Sequence, residues 1–364
     1  MLEDGYWYDL CNEQCSDPYF LFPWHVTEYK SLMKSLRLKP VQVVLLSGLT
    51  LTGLFKLAHL VSIGLLCEKD DCSVYPCGCC VGCRWASADS HPDFRCLLSS
   101  SHLLEFLPSF VVSSYAEDKS KSMGGISVDR VRELTHFFSL STYRGRRVVF
   151  IAPVESLTDN ALQALLKTLE EPVSETTFVL MSYSPHRLKA TLLSRCQIHW
   201  RVPSPRPDAI EKWLSNLSIP TSVSALLSSS AEFIVYHRPF YALLLMITET
   251  GNLIMEVRDN LFRRPLDFWV VTSSCRVIMQ KWGKFLTSHQ AVSVLLDILV
   301  VMVHKHLGVY WGSDAEKLSL QQKKCGLLAW LRFIDCIQEA RSLIHTALNQ
   351  ELILDHIMVY HPLR

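Results

Sequence analysis

Four cysteines, Cys67, Cys77, Cys80 and Cys83, are spaced Cys-x9-Cys-x2-Cys-x2-Cys. Thiolates at such spacing can close a tetrahedron around Zn2+, with each Cys-x2-Cys pair folded as a tight knuckle. Four thiolates leave no coordination position open, so a structural role is expected rather than a catalytic one. The metal would order a loop too small for a core of its own, contributing on the order of 10 kcal/mol. Cys72 and Cys79 lie in the same stretch, and either could replace one of the four. Cys79 directly precedes Cys80, so those two side chains should diverge. Beside the Cys80–Cys83 knuckle only Arg84 is basic, which gives it little with which to grip nucleic acid.

A second constellation lies just upstream, in "GLTLTGLF", Gly48 to Phe55. A phosphate-cradling loop needs Gly, four residues, then Gly-Lys-Ser/Thr: amides for the phosphates, a lysine for their charge, a hydroxyl for magnesium. Gly48 and Gly53 hold the right spacing, but Leu54 stands at the lysine position and Phe55 at the hydroxyl position. Lys56 comes two residues late, turned roughly 200° round a following helix. The strand "VVFIA", where such a site would place a magnesium-holding carboxylate, ends in Ala152, and Glu155 lies beyond Pro153. Three losses at one site predict that the chain neither binds nor hydrolyses ATP.

The elements that must position these residues alternate. Val41 to Leu46 reads as a buried strand and the segment from Gly53 to about Cys67 as a helix. "ISVDRVRELTHFFSL" is helical, "RRVVFIA" a second strand, and "LTDNALQALLKTLEEP" a helix entered at Thr158-Asp159 and stopped at Pro172. "TTFVLMSYS" and "IHWRV" complete four strands. Strand alternating with helix implies an α/β domain, a parallel sheet with helices on both faces. From Pro205 onward the strand signals stop and amphipathic helical segments take over, as in a bundle. The expected domains are therefore 1–203, carrying the cysteine module at about 67–94, then all-α regions at 204–250 and 251–364.

Composition narrows the partners. A net charge of +1 over 364 residues gives no basic footprint for a protein that grips DNA by itself. The start, "MLEDGYWYDL", has no basic segment ahead of an apolar run, so a secretory signal is not expected. Thirteen cysteines then point to the reducing cytoplasm. The apolar run Val41 to Leu66 is interrupted by glycines, Lys56 and His59, and is read as strand, loop and helix rather than a membrane span.

One further motif, "TLLSRCQ" (Thr191 to Gln197), completes a pattern. With Val154-Glu155, the run Leu165 to Pro172 ("LLKTLEEP"), Pro23-Trp24, the Gly48/Gly53 loop, His91-Pro92-Asp93 and Ile126 to Asp129, it resembles the delta-prime family of the bacterial DNA polymerase III clamp loader, relatives of the AAA+ ATPases. The likeness covers roughly Pro23 to Pro203; valine replaces the family's alanine at 154. It implies a RecA-like AAA+ domain with an inserted four-cysteine zinc module, an all-α lid and an all-α C-terminal collar. It further implies a five-subunit ring containing ATPase subunits and a clamp-opening subunit, acting on a sliding clamp and primed DNA. In that ring Arg195, its loop shaped by Ser194 and Cys196, would reach the ATP of a neighbouring subunit as a finger in trans. Arginine suits this task because its planar, permanently charged fork matches phosphate oxygens. Two other functions fit some residues: a self-sufficient ATPase using Lys56 and Glu155, or a stand-alone zinc-dependent DNA-binding adaptor. Glu170 and Glu171, adjacent at a helix end, make a poor acid–base pair; Ser182 and Ser184 stand where related ATPases sense γ-phosphate and are read as vestigial.

Overall fold

The computed structural model describes residues 19–38, 41–50, 52–69, 76–88, 90–99, 125–171, 175–216, 245, 248, 250–263, 266–283, 288–307, 327–343 and 350–362. Cys72, Pro172 and most of the expected lid lie outside them. The chain divides into two compact units, Met1–Ser218 with Tyr236–Phe240, and Ile219–Val235 with Tyr241–Arg364.

In the first unit, β1 (Val43–Ser47), β2 (Phe94–Leu98), β3 (Arg147–Ala152), β4 (Thr176–Ser182) and β5 (Ile198–Arg201) form one sheet in the order β2-β3-β4-β1-β5. Every neighbouring pair is parallel. Strands β1 and β3 are buried at every residue, which is why they read as unbroken apolar runs. Their side chains alternate between two cores. Val44, Leu46, Val148, Phe150, Val179 and Met181 pack with α1 (Val26–Leu38) and α2 (Leu54–Leu66) on one face. Val43, Leu45, Val149, Ile151, Phe178 and Leu180 pack with the helices of the other face.

The short helix α3 (Val81–Ser87) follows the cysteine loop. The opposite face is built by α4 (Val128–Ser139), α5 (Asp159–Glu170) and the single turn α6 (Ala190–Leu193). Helix α5 begins as expected, Thr158 capping it by accepting from the Ala161 amide. The first unit ends on α7 (Pro207–Asn216), whose Trp213 meets Phe22 and Trp24 edge-on. The sheet has one strand more than the sequence pattern suggested. Strand β2 is an edge strand carrying exposed Arg95, so it shows neither a continuous apolar run nor a clean alternation.

The regular elements of the second unit are, among its described residues, all helices: α8 (Gly251–Leu261), α9 (Phe268–Trp282), α10 (Ser288–Leu307), α11 (Leu327–Leu343) and α12 (Gln350–Val359). Trp282, Trp330 and Phe333 are its largest fully buried side chains. Trp282 Nε1 donates to Thr250 Oγ1 at 3.0 Å, and Arg276 binds both carboxylate oxygens of Asp355, joining α9 to α12. Among the described residues, no helix is long and apolar enough to cross a membrane.

Candidate functional sites

The glycine loop leaves the C-terminal end of β1 and enters α2 through Gly53, whose φ of 84° is the left-handed conformation that glycine supplies without strain. Several of its described groups are already engaged or buried. The Gly48 amide donates to Ser182 O, and Leu54 and Phe55 are buried. The Thr52 carbonyl takes two ring donors, Trp24 Nε1 and His25 Nε2, each at 2.9 Å. His25 is buried and its pKa is pushed down to about 4, chiefly by burial, so the ring is neutral and its Nε2–H donates. Lys56 is buried in α2, and burial with the Lys56 charge drives His59 down to about 3.

Glu155, the other residue of a self-sufficient site, is already engaged. Its Oε1 accepts from Ser182 Oγ at 2.6 Å and from the Ser184 amide at 2.5 Å. Ala152, at the end of β3, is 1% exposed and offers no oxygen ligand from its side chain. Ser182 and Ser184 thus hold a carboxylate beside the C-terminal end of β4.

The Ser194-Arg195-Cys196-Gln197 loop sits at the opposite end of β1. Gln197 N donates to Val43 O at 3.0 Å, and Gln197 Oε1 accepts from Gln42 N at 2.6 Å. The loop therefore ends where β1 starts, while Gly48 follows where β1 ends, a separation of about 17 Å at ~3.3 Å per residue. Cys196 is buried beneath the loop; burial pushes its thiol up to about 11, and Sγ donates to Leu192 O at 3.3 Å. It is an anchor, not a nucleophile. Ser194 Oγ donates to Thr191 O at 3.0 Å and closes the turn. Arg195 is left on the surface, its Nη2 donating to Glu170 Oε1 at 2.7 Å.

At the far end of α2 the four cysteines converge. The sulfurs of Cys67, Cys77, Cys80 and Cys83 all lie within 4.8 Å of one another. A zinc tetrathiolate with Zn–S of about 2.3 Å has sulfur–sulfur edges of about 3.8 Å, so this clustering fits the ion. The knuckles have the expected form, the Cys80 amide donating to Cys77 Sγ and the Cys83 amide to Cys80 Sγ, each at 3.3 Å. Cys79 is exposed and outside the group. Around the sulfurs, Glu68 accepts from the Gly82 amide at 3.1 Å and pairs with Arg144 at 3.4 Å, while Tyr19 OH donates to Cys83 O. Gly82 has no room for a side chain: a Cβ there would lie 2.7 Å from Leu66 O.

His91-Pro92-Asp93 braces the loop that leads into β3. Asp93 is buried, and its Oδ2 accepts from the Tyr143 amide at 2.8 Å, while His91 Nδ1 accepts from the Asp93 amide. Among the contacts that sequence spacing could not reveal are those of Glu170 with Arg195 and of Trp24 and His25 with Thr52. Each joins segments 25 or more residues apart.

Residues 25–201 match the family model described as DNA polymerase III, delta subunit. The DNA polymerase III subunit delta' of Buchnera aphidicola subsp. Baizongia pistaciae is 31% identical over 59% of this chain, and that of Escherichia coli K12 is 34% identical over 57%. The chain spans 61% and 56% of the lengths of those two relatives. The subunit delta' of Haemophilus influenzae Rd is 29% identical over 92% of this chain and 94% of its own length, so this likeness runs on into the helical second unit.

Proposed function

We propose, from its likeness to the delta-prime subunits of DNA polymerase III, that this chain is a member of that clamp-loader family and, within it, a non-hydrolysing stator. In this reading Arg195 completes the ATP site of an adjacent subunit in a hetero-pentameric ring that opens a sliding clamp and loads it on primed DNA. The observation that carries it is the placement of Arg195. Gln197, two residues after Arg195, is bonded at the start of β1 while the glycine loop follows its end, and this separation supports a finger directed away from its own chain's loop. In this reading its target is a neighbour's nucleotide.

The rest of the subunit supports a silent site. Leu54, Phe55 and Ala152 supply neither cation nor magnesium ligand, and Lys56 and Glu155, which a self-sufficient ATPase would need, are buried and hydrogen-bonded respectively. Zinc held by Cys67, Cys77, Cys80 and Cys83 would fix the loop between α2 and α3; the chemistry it supplies is structural cross-linking only. The domain scheme completes the proposal: a lid over 204–250 and a collar over 251–364 through which the subunit joins its partners.

The test is the Arg195→Ala variant of the full chain, assembled with partner subunits. Assembly should persist, while turnover at the one completed site falls by about 10³-fold, the lower range for fingers supplied in trans. Unchanged DNA-stimulated ATPase would remove Arg195 from the mechanism. Equilibrium dialysis of the isolated chain with labelled ATP addresses the self-sufficient alternative, for which micromolar binding is required.

A further inference from the structure

We infer that Glu170 is a positioning residue for the Arg195 guanidinium, an assignment that rests on the reading of Arg195 as a finger. Glu170 is the last residue of α5, and its Oε1 accepts from Arg195 Nη2 at 2.7 Å. The pair lies at the surface, with side chains 43% and 50% exposed, so it is open to an approaching subunit.

The place of Glu170 argues that it does not serve its own helix. A carboxylate in the last helical turn faces the negative end of the macrodipole and is disfavoured there. Lys167 is the residue of that turn with the favourable sign. A glutamate at this position therefore needs another use, and its partner in the structure is the arginine.

Arg195 needs such a partner. Its backbone is fixed on both sides: its own amide donates to Leu192 O, the Cys196 amide to Leu193 O, and Gln197 ties the loop to β1. The side chain beyond Cβ is long, with several rotatable bonds, and a fixed backbone alone does not aim it. An acceptor on one edge of the planar fork does, leaving the remaining guanidinium N–H groups for phosphate oxygens. Glu170 thus sets the direction of the finger before a neighbour arrives, and its effect belongs to the transition state rather than to nucleotide binding.

The experiment compares full-length Glu170→Ala, Glu170→Gln, Arg195→Ala and the Glu170→Ala/Arg195→Ala double variant, each assembled into the complex. Glu170→Ala is expected to lower kcat about threefold to fivefold, the scale of an exposed ion pair, with KM for ATP unchanged. Glu170→Gln keeps an acceptor oxygen and should recover most of that loss. In the Arg195→Ala background, removing Glu170 should have no further effect, because the two act through one another. Full activity of Glu170→Ala beside a slow Arg195→Ala overturns the inference alone, as does an equal Glu170 effect in both backgrounds. Full activity of Arg195→Ala instead overturns the finger, and Glu170's role with it. Gel filtration follows assembly; exclusion of both Glu170 variants from the complex also overturns the inference, because it makes Glu170 a subunit contact.

Discussion

Leu54 packs against Gly48: a Cβ built on that glycine would lie 3.4 Å from both Leu54 methyls and from Val202 Cβ. The residue at the lysine position of a phosphate loop therefore fills the loop from within. Restoring the motif by Leu54→Lys with Phe55→Thr should not restore nucleotide binding. The new ammonium would enter a fully buried site built for carbon, next to a loop whose Gly48 amide and Thr52 carbonyl are already bonded. Calorimetric titration with Mg-ATP should register no heat of binding, and stability should fall by about 3 kcal/mol or more, as for removal of a buried leucine. Micromolar affinity in this double variant would mean that the side chains at 54 and 55, not the closed loop, are what silence the site.

The cysteine cluster makes a prediction about which thiols matter. Purified protein should carry one zinc per chain, and Cys79→Ser should keep it, since Cys79 lies outside the converging four. Cys77→Ser and Cys83→Ser should lose it, each removing a thiolate that also receives or provides a knuckle amide contact. Gly82→Ala should behave like a ligand loss, because its Cβ meets the backbone oxygen of Leu66 at 2.7 Å and the knuckle must shift. Atomic emission gives the stoichiometry, and limited proteolysis between α2 and α3 reads the loss of order. Full zinc in Cys83→Ser would remove that residue from the set.

Acid should weaken the first unit before its carboxylates titrate. His25 is pushed down to about 4 and His59 to about 3, burial being the main cause for both. In the unfolded chain both rings take up a proton near pH 6.5. Between those values the unfolded state binds more protons than the folded state, so stability falls as pH falls below about 6.5. Each histidine adds a slope of up to about 1.4 kcal/mol per pH unit, and neither contributes above that range. Urea unfolding of the full chain at pH 6 and 5 should reveal the slope, and His59→Gln should lessen it by about one histidine's share. An unaltered slope would show that His59 does not remain neutral on folding.

Much of this was legible because burial on both faces leaves a plain mark. Strands β1, β3 and β4 read as apolar runs, and the structure finds them buried within one sheet. Spacing pointed to Cys67, Cys77, Cys80 and Cys83 as candidate metal ligands, and among the described residues these four converge. Strand β2 escaped because an edge strand with Arg95 in the open has no periodic signature. The partners of Thr52 escaped for another reason: Trp24 and His25 reach it across 28 and 27 residues, and aromatic side chains alone do not announce a carbonyl acceptor. Glu170 looked like half of an adjacent acidic pair, and only the turn of α6 brings Arg195 to it.

Gln197 offers a test of how far backbone anchoring, as distinct from side-chain aim, controls Arg195. Its side chain accepts from the Gln42 amide at 2.6 Å, while its own amide donates to Val43 O. Substitution by Ala removes the first tie and keeps the second, since the second is backbone alone. Stability should drop by about 1 kcal/mol, the net value of one hydrogen bond, with both faces of the sheet still packed. If the loop is held mainly by Cys196 and the strand register, ATPase of the assembled complex should fall by less than twofold. If instead the Gln197 tie sets the height of the loop, the loss should approach that of Arg195→Ala, because a shift of about 1 Å at a reacting phosphate can cost about a hundredfold. The burial of Cys196 and its bond to Leu192 O favour the smaller effect, and turnover measured beside urea unfolding on the same samples separates the two.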